Sequence, residues 1–420
     1  MRNSESTTKL RRVLNLPLLT FYGVGVTVGA GIFALIGEVL RDAGDHAPLA
    51  FLIAGLIAGA TGISYAKLAS VYPRAGGEAI YAKNGLGNFA AALVGYGVTV
   101  TGVISSAVIA VAFGSYLGTL IPVPSDFLVV SVIIVLATIA CLGVRESVTF
   151  AAAITLLEVG TLLIVAVLGA PLLGDALTGE LFNRELLQDG SGARLFSLPA
   201  DTTVWAAVFS SVLLAFFAFV GFEDIVNMAE ETNDPVRNVP RAVILTLVIT
   251  ILIYALIASI AVLIPDRESI TSSAAPMASV FSEVSGRSGA PVSAMASIAM
   301  VNGILVQIVM ASRVIYGMTR EHLAPSVLGT LHPRRQTPIR AILLIAAVII
   351  ILALAVPLGT LARSTSLVIL TVFTLVNISL WRIGSRADAA PILQRWRWWG
   401  IISALLCLSL LAVTALDFLM

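Results

Sequence analysis

The chain has 420 residues, of which 58% are hydrophobic and 12% charged, with a formal net charge of +1 and a mean hydropathy of +0.99. A soluble domain carries about a quarter charged residues, so an ordinary water-facing surface is excluded. A net charge this close to zero also leaves no field to attract nucleic acid.

In chain order, stretches of about twenty apolar residues, the length that crosses a bilayer, fall near 16–37, 47–66, 89–120, 126–143 and 149–173. A second set follows near 203–228, 241–264, 289–318, 339–358 and 364–382, and an eleventh near 398–417. The expected fold is therefore an all-α integral membrane protein of about eleven spans. Residues 1–15 read as a cytoplasmic segment, and 16–420 as one transmembrane domain. The basic start (Arg2, Lys9, Arg11, Arg12) lacks a small-residue cleavage site, so the first span reads as retained rather than as a signal peptide. The longest polar interruption, 174–202, holds Asp175, Glu180, Glu185, Asp189 and Asp201 and reads as a solvated outer connection.

With the amino terminus inside, only Arg41, Arg184, Arg194, Arg267, Arg287 and Arg363 of the 25 basic residues lie on the outer side. The rest, among them Lys67, Arg74, Lys83, Arg145, Arg313, Arg320 and Arg340, are cytoplasmic, which is the positive-inside pattern. An odd number of spans then places Met420 outside.

Two spans are interrupted where a helix is most needed. The first reads Gly23-Val-Gly25-Val26-Thr27-Val-Gly29-Ala30-Gly31-Ile-Phe33, and the sixth Phe216-Phe217-Ala218-Phe219-Val220-Gly221-Phe222-Glu223-Asp224. Unsatisfied backbone costs several kcal/mol in lipid and survives only against protein, a cavity or a ligand. Interruptions at matching positions of two halves point to a carrier's binding site. Spans one to five (16–173) and six to ten (203–382) read as two repeats, inverted because five is odd, with 398–417 as an extra helix. Read singly, Gly25-x-x-x-Gly29 is also the spacing of plain helix packing, and the phenylalanines are also core residues. Their matched placement favours the site.

Catalytic apparatus is missing from the pattern. Cys141 and Cys407 sit alone in apolar runs, and His46, His322 and His332 lack ligand spacing. The expectation is no enzyme, no cofactor and no metal.

Further motifs add a resemblance. Tyr72-Pro73-Arg74-Ala75-Gly76-Gly77 follows the second span; Ala229-Glu230-Glu231 and Asn233-Asp234-Pro235 follow the sixth; Ala311-Ser312-Arg313-Val314-Ile315-Tyr316-Gly317-Met318 ends the eighth, before Pro325 and Thr337-Pro338. Together with the two interruptions, in this order, they resemble the amino acid–polyamine–organocation permeases, ApcT-like and cationic amino acid transporter-like members in particular. The resemblance implies a LeuT-type 5+5 inverted repeat with broken first and sixth helices. It implies that the amides of Gly29, Ala30 and Gly31 hold an amino acid's carboxylate, while carbonyls of Phe217, Ala218 and Val220, beside Gly221, and one at Val26 or Thr27 take its ammonium. Relatives commonly carry a twelfth span, where this sequence ends after its eleventh.

The implied function is secondary active amino acid transport by alternating access in the cell's inner (plasma) membrane. An amino acid or polyamine exchanger and a substrate-sensing receptor are the alternatives. A small or medium neutral amino acid is the expected substrate, because the broken segments carry no charged side chain, although Glu223 and Asp224 lie just beyond. A contact between Arg74 and one of Glu230, Glu231 or Asp234 is a possible gate. Glu158 stands inside the fifth span, where an ionisable group is costly and reads as functional. Proton-coupled relatives place a lysine there; here the sign is reversed. Glu158 is the expected ion-coupling residue, with the proton ahead of sodium, against the alternative of a structural carboxyl.

Overall fold

The computed structural model describes residues 12–74, 76–143, 148–182, 199, 201–320 and 324–419. Arg2, Lys9, Arg11, Ala75, Arg145, Arg184, Glu185, Asp189, Arg194 and His322 lie outside them, and so does most of the 174–202 connection.

The helices are α1 (Leu16–Val28), α2 (Gly31–Ala43), α3 (Ala47–Val71), α4 (Gly77–Leu86), α5 (Asn88–Gly118), α6 (Ser125–Leu142), α7 (Val148–Phe182) and α8 (Thr202–Phe217). They continue as α9 (Asp224–Asn227), α10 (Pro235–Leu263), α11 (Glu268–Thr271), α12 (Pro276–Ser285), α13 (Ala290–Arg320), α14 (Ile339–Ala355), α15 (Leu358–Gly384) and α16 (Pro391–Leu419). No strand occurs among the described residues; one isolated bridge joins Leu14 to Thr232.

Eight stretches are long and apolar enough to cross a membrane unaided, the first of them, Gly31–Val71, containing both α2 and α3. Three shorter apolar helices complete the set: Leu16–Val28, Val204–Phe217 and Ile339–Ala355. The first two are short because each leads into a break. Large apolar side chains face outward, as at Leu156, Leu163, Ile164 and Val167 on α7, while Glu158, Leu162 and Val165 of the same helix are buried. Such a helix has lipid on one side and protein on the other. The protein is a multi-pass membrane protein.

Several helices run past their apolar stretch. Pro235 and Pro391 open α10 and α16 several residues before the expected starts, because proline's fixed φ suits the first helical turn. The connection after α10 folds into the short helices α11 and α12, and the one after α3 into α4; hydropathy carries no signal for any of the three.

Small residues set the closest approaches, as expected where no hydrophobic effect drives helices together. A Cβ on Gly62 would lie 2.2 Å from Leu247 Cδ1, and one on Gly55 2.6 Å from Ile251 Cγ1, so α3 lies flush on α10. Buried hydroxyls turn back on their own helix: Thr99 donates to the Gly95 carbonyl, Ser106 to Gly102 and Thr365 to Leu361.

The packing is reciprocal. The leading helix of each apolar set lies on the second span of the other (α1 on α10, α8 on α3), and the two third spans meet (α5 on α13). Likewise α7 packs on α1 and α15 on α8, while α14 lies on α5 and α6 on α13.

The helix read as extra is bonded into this body. Trp399 Nε1 and Ser403 Oγ both donate to the Ala60 carbonyl, at 2.9 and 3.0 Å. Asn377 Nδ2 donates to Thr61 Oγ1 at 3.0 Å, with the Cys407 thiol beside both. A Cβ on Gly400 would stand 2.5 Å from the Asn377 carbonyl oxygen. Gly400→Val is therefore expected to push α16 off α15 and cost about 1–3 kcal/mol, read as a lowered melting temperature in detergent. Leu405→Ala, on the lipid side, is the control that leaves it nearly unchanged.

Candidate substrate site at the two helix breaks

α1 stops at Gly29, whose φ of +25° only glycine tolerates without strain, and whose N–H donates to the Gly25 carbonyl at 3.0 Å. Ala30 caps α2, and the bond from Ala34 N–H to the Ala30 carbonyl is 2.8 Å. The amides of Ala30, Gly31, Ile32 and Phe33 thus have no carbonyl of their own helix to serve, and they sit at its positive dipole end. Gly29 N–H, expected to be free, is engaged, so the amides without a partner in their own helix begin at Ala30.

The second break runs from Ala218 to Glu223. Gly221 has a φ of +122°, and its N–H donates to Glu223 Oε2 at 2.8 Å. A Cβ there would come within 2.9 Å of the Val26 carbonyl oxygen. A Cβ on Gly31 would come within 2.7 Å of Ala218 Cα. Each break therefore rests on the backbone of the other. The Tyr254 hydroxyl on α10 lies between them, 3.0 Å from the Thr27 carbonyl and 2.9 Å from that of Ala218.

A cavity of about 40 Å³ lies beside this junction. That is room for a few water molecules. It is lined by Gly25, Val26, Thr27, Gly29, Ala30 and Gly31 of the first break, Phe217 and Val220 of the second, and Glu158 of α7. The facing wall is Ser105 and Ile109 on α5 with Ala299, Asn302, Gly303, Val306 and Gln307 on α13. Of the expected site residues, Ala218 and Gly221 do not line it. Glu223 and Asp224 are also buried away from it.

Glu158 is 3% exposed, and its Oε2 has no hydrogen-bond partner among the described residues. Its position follows from Gly25. A Cβ there would lie 1.9 Å from Thr155 Oγ1, so the glycine admits α7, and Glu158 stands one turn further on the same face.

Contacts cross the junction on both faces beyond the cavity. On the amino-terminal face, Val13 and Leu14 N–H donate to the Glu231 carbonyl at 2.9 and 3.0 Å, and Asn233 N–H donates to Leu14 at 2.8 Å. On the opposite face, Tyr116 donates to the Phe33 carbonyl at 2.6 Å and accepts from Met277 N–H at 3.0 Å. Arg363 pairs with Asp42 at 2.5 Å, and Arg267 with Asp45, further out. Arg74 is exposed and forms no ion pair among the described residues, so the gate contact considered for it is not made; Asp234 pairs instead with Arg237 at 4.0 Å.

Sequence reasoning missed Tyr254, Ser105, Ile109 and Gly303. A lone tyrosine in an apolar run was a usable signal, because a buried phenol seeks a partner. Asn302 and Gln307 read equally well as interhelical contacts.

The family model described as "Amino acid permease" matches residues 14–418. The chain belongs to the amino acid permease family. It is 31% identical over 379 residues to an uncharacterized transporter of Mycobacterium tuberculosis, covering 90% of this chain and 81% of that one. It is 26% identical over 395 residues to cationic amino acid transporter 2, vacuolar, of Arabidopsis thaliana, and 27% identical over 402 residues to cationic amino acid transporter 4 of Homo sapiens. It spans 60% and 61% of the length of those two.

Tyr254→Phe removes the hydroxyl that ties the breaks and leaves a buried carbonyl unpaired. The expected cost is about 1–3 kcal/mol, read as a lower melting temperature and a smaller stabilisation by bound amino acid. Full retention of both would show that the tie carries no weight.

Proposed function

We propose that the protein is a secondary amino acid transporter of the cell's inner (plasma) membrane, working by alternating access around the cavity at the two breaks. The observation that carries this is the pairing of unsatisfied amides at the start of α2 with a cavity between bundles of helices. A carboxylate is the natural occupant of such amides. Acceptors for an ammonium are the carbonyls near Val26, Phe217 and Val220. The reciprocal packing supports two inverted repeats, 16–173 and 203–382, in the LeuT-type arrangement. The basic-residue distribution supports a cytoplasmic amino terminus and an outer carboxy terminus, and terminal reporter fusions are expected to read on opposite sides. Both ends on one side would show a miscounted span.

A small or medium neutral amino acid suits the lining, which is largely apolar and carries no charged side chain but Glu158, and the cavity must widen to admit one. A cationic substrate is the second reading, favoured by the names of the plant and human relatives and by Glu158 itself. Glu158 is proposed to couple transport to a proton, with sodium second. Glu158 lines the cavity, its Oε2 has no partner among the described residues, and a carboxyl that takes a proton on one side and releases it on the other draws on about 2.3 kcal/mol per charge per 100 mV.

Uptake of a panel of labelled amino acids into proteoliposomes, under separate proton and sodium gradients, tests the whole reading. The expected result is uptake accelerated by an inward proton gradient. Glu158→Gln is expected to keep binding and exchange but lose that acceleration. Uptake that follows sodium alone would overturn the proton assignment. A variant that behaves as wild type would make Glu158 structural, and uptake that requires internal substrate would mark an exchanger.

A further inference from the structure

A second group of buried acids lies outside the cavity. Glu78 on α4, Glu223 at the end of the second break and Asp224 at the start of α9 are 3%, 5% and 7% exposed. The side chain of Asn227 stands beside both Glu78 and Asp224. Its Oδ1 also accepts from Gly76 N–H at 2.9 Å. One amide thus stitches the start of α4 to α9. The charges acting on these carboxyls are largely their own: Asp224 acts on Glu78, and Asp224 and Glu78 act on Glu223.

The group is short of partners. Glu78 Oε1 and the hydroxyls of Tyr65 and Tyr81, all at least nine-tenths buried, have no hydrogen-bond partner among the described residues. Tyr81 Oη lies 3.0 Å from where a Cβ of Gly77 would stand, beside Glu78 in the chain. Tyr65 faces Tyr81 at 6.0 Å and Phe222 at 5.7 Å between ring centroids, which puts it against both sides of the junction. The other titratable groups nearby are Tyr72, 6.5 Å from Tyr81, and Cys407, which acts on Tyr65. The basic residues of the surrounding elements are directed elsewhere: Arg74, Lys83, Arg237 and Arg382 are exposed, and Lys67 lies over the Trp396 ring.

Three carboxylates cannot be held together in a buried space with like charges as their main neighbours, because both desolvation and repulsion disfavour the ionised forms. A proton on one of them removes a charge and creates a donor for an unpartnered oxygen. We propose that Glu78, Glu223 and Asp224 form a shared proton-binding site, separate from Glu158, that latches α4 to α9 and holds the amino-terminal face closed while it is protonated. α4 packs on α5 and α15, whereas α9 packs on α1 and α10, so the latch spans two separate groups of helices. Losing the proton to water at that face leaves adjacent negative charges, and their repulsion drives the two groups apart.

The direction of the pH dependence follows from Glu78, which lies between the apolar stretches that end at Val71 and begin at Asn88. Burial, with a smaller push from Asp224, raises its carboxyl to about 8. The closed latch is therefore made below that value and released as pH rises through it.

The latch can be read without any substrate, so its test is independent of the transport reading. Nitroxide labels at Lys83→Cys on α4 and Val236→Cys on α10, in a Cys141→Ser, Cys407→Ser background, report the separation of the two groups by pulsed electron paramagnetic resonance. Measurements at about pH 6 and about pH 9 bracket the Glu78 value. The expected result is a longer-distance population that is minor at the lower pH and major at the higher. Glu78→Gln with Asp224→Asn is expected to hold the short distance at both, as is Asp224→Asn alone in large part. Glu283→Gln, at an exposed acid outside the cluster, is expected to keep the wild-type response. Distances that do not change with pH in the unaltered cluster, or a neutralised cluster that still responds, would overturn the proposal.

Discussion

The membrane interior offers no water to a bare peptide group, and the structure is organised around that scarcity. Two helices are broken at the centre of the bundle, each exposing backbone polar groups that would cost several kcal/mol if left alone in lipid. The breaks answer each other. Gly221 sits against the Val26 carbonyl, Gly31 against Ala218, and Tyr254 reaches the carbonyls of Thr27 and Ala218 together. Glu223 takes the Gly221 amide. Ala30 and Gly31, whose amides have no carbonyl of their own helix to serve, and Glu158, whose Oε2 has no partner among the described residues, line the cavity. The cavity is in this sense the residue of an incomplete exchange between two broken helices.

That exchange explains why glycine recurs at the junction for different reasons. Gly29 and Gly221 are there for their positive φ. Gly25 and Gly31 are helical, and their missing side chains admit a neighbour: α7 at Gly25 and the second break at Gly31. A bulky residue at Gly31 would disturb the junction before it met any substrate. The glycine run that looks like one motif is therefore two devices interleaved, one conformational and one steric.

The apolar spans and both interruptions were legible in the sequence, because hydropathy at the length of a bilayer is a strong signal and a glycine-rich stretch inside it conflicts with that signal. α4, α11 and α12 were not, since helices of four to ten residues in connections leave no periodic trace. At the two breaks, the pattern marked the segments but not the individual groups. Whether Gly29 N–H is free depends on whether α1 closes one more turn, and it does. Whether the Ala218 carbonyl faces a ligand depends on a tyrosine 36 residues further along the chain. Such outcomes are decided by contacts between distant segments. Glu158 was visible as a costly charge, but its place at the cavity rests on Thr155 meeting Gly25.

The short bridge between Leu14 and Thr232 has a consequence for how the chain is made. The segment that leads into α1 finds its backbone partners at Glu231 and Asn233, more than two hundred residues later in synthesis. At roughly 5–20 residues per second, that is a wait of about 10–40 seconds. For that interval the first break has neither Tyr254 nor the second break to satisfy it. The first span enters the membrane as an unfinished element, and its final geometry is set only once the tenth helix has emerged. Biogenesis of this protein is thus expected to pass through a long-lived state in which the earliest span is the last to settle.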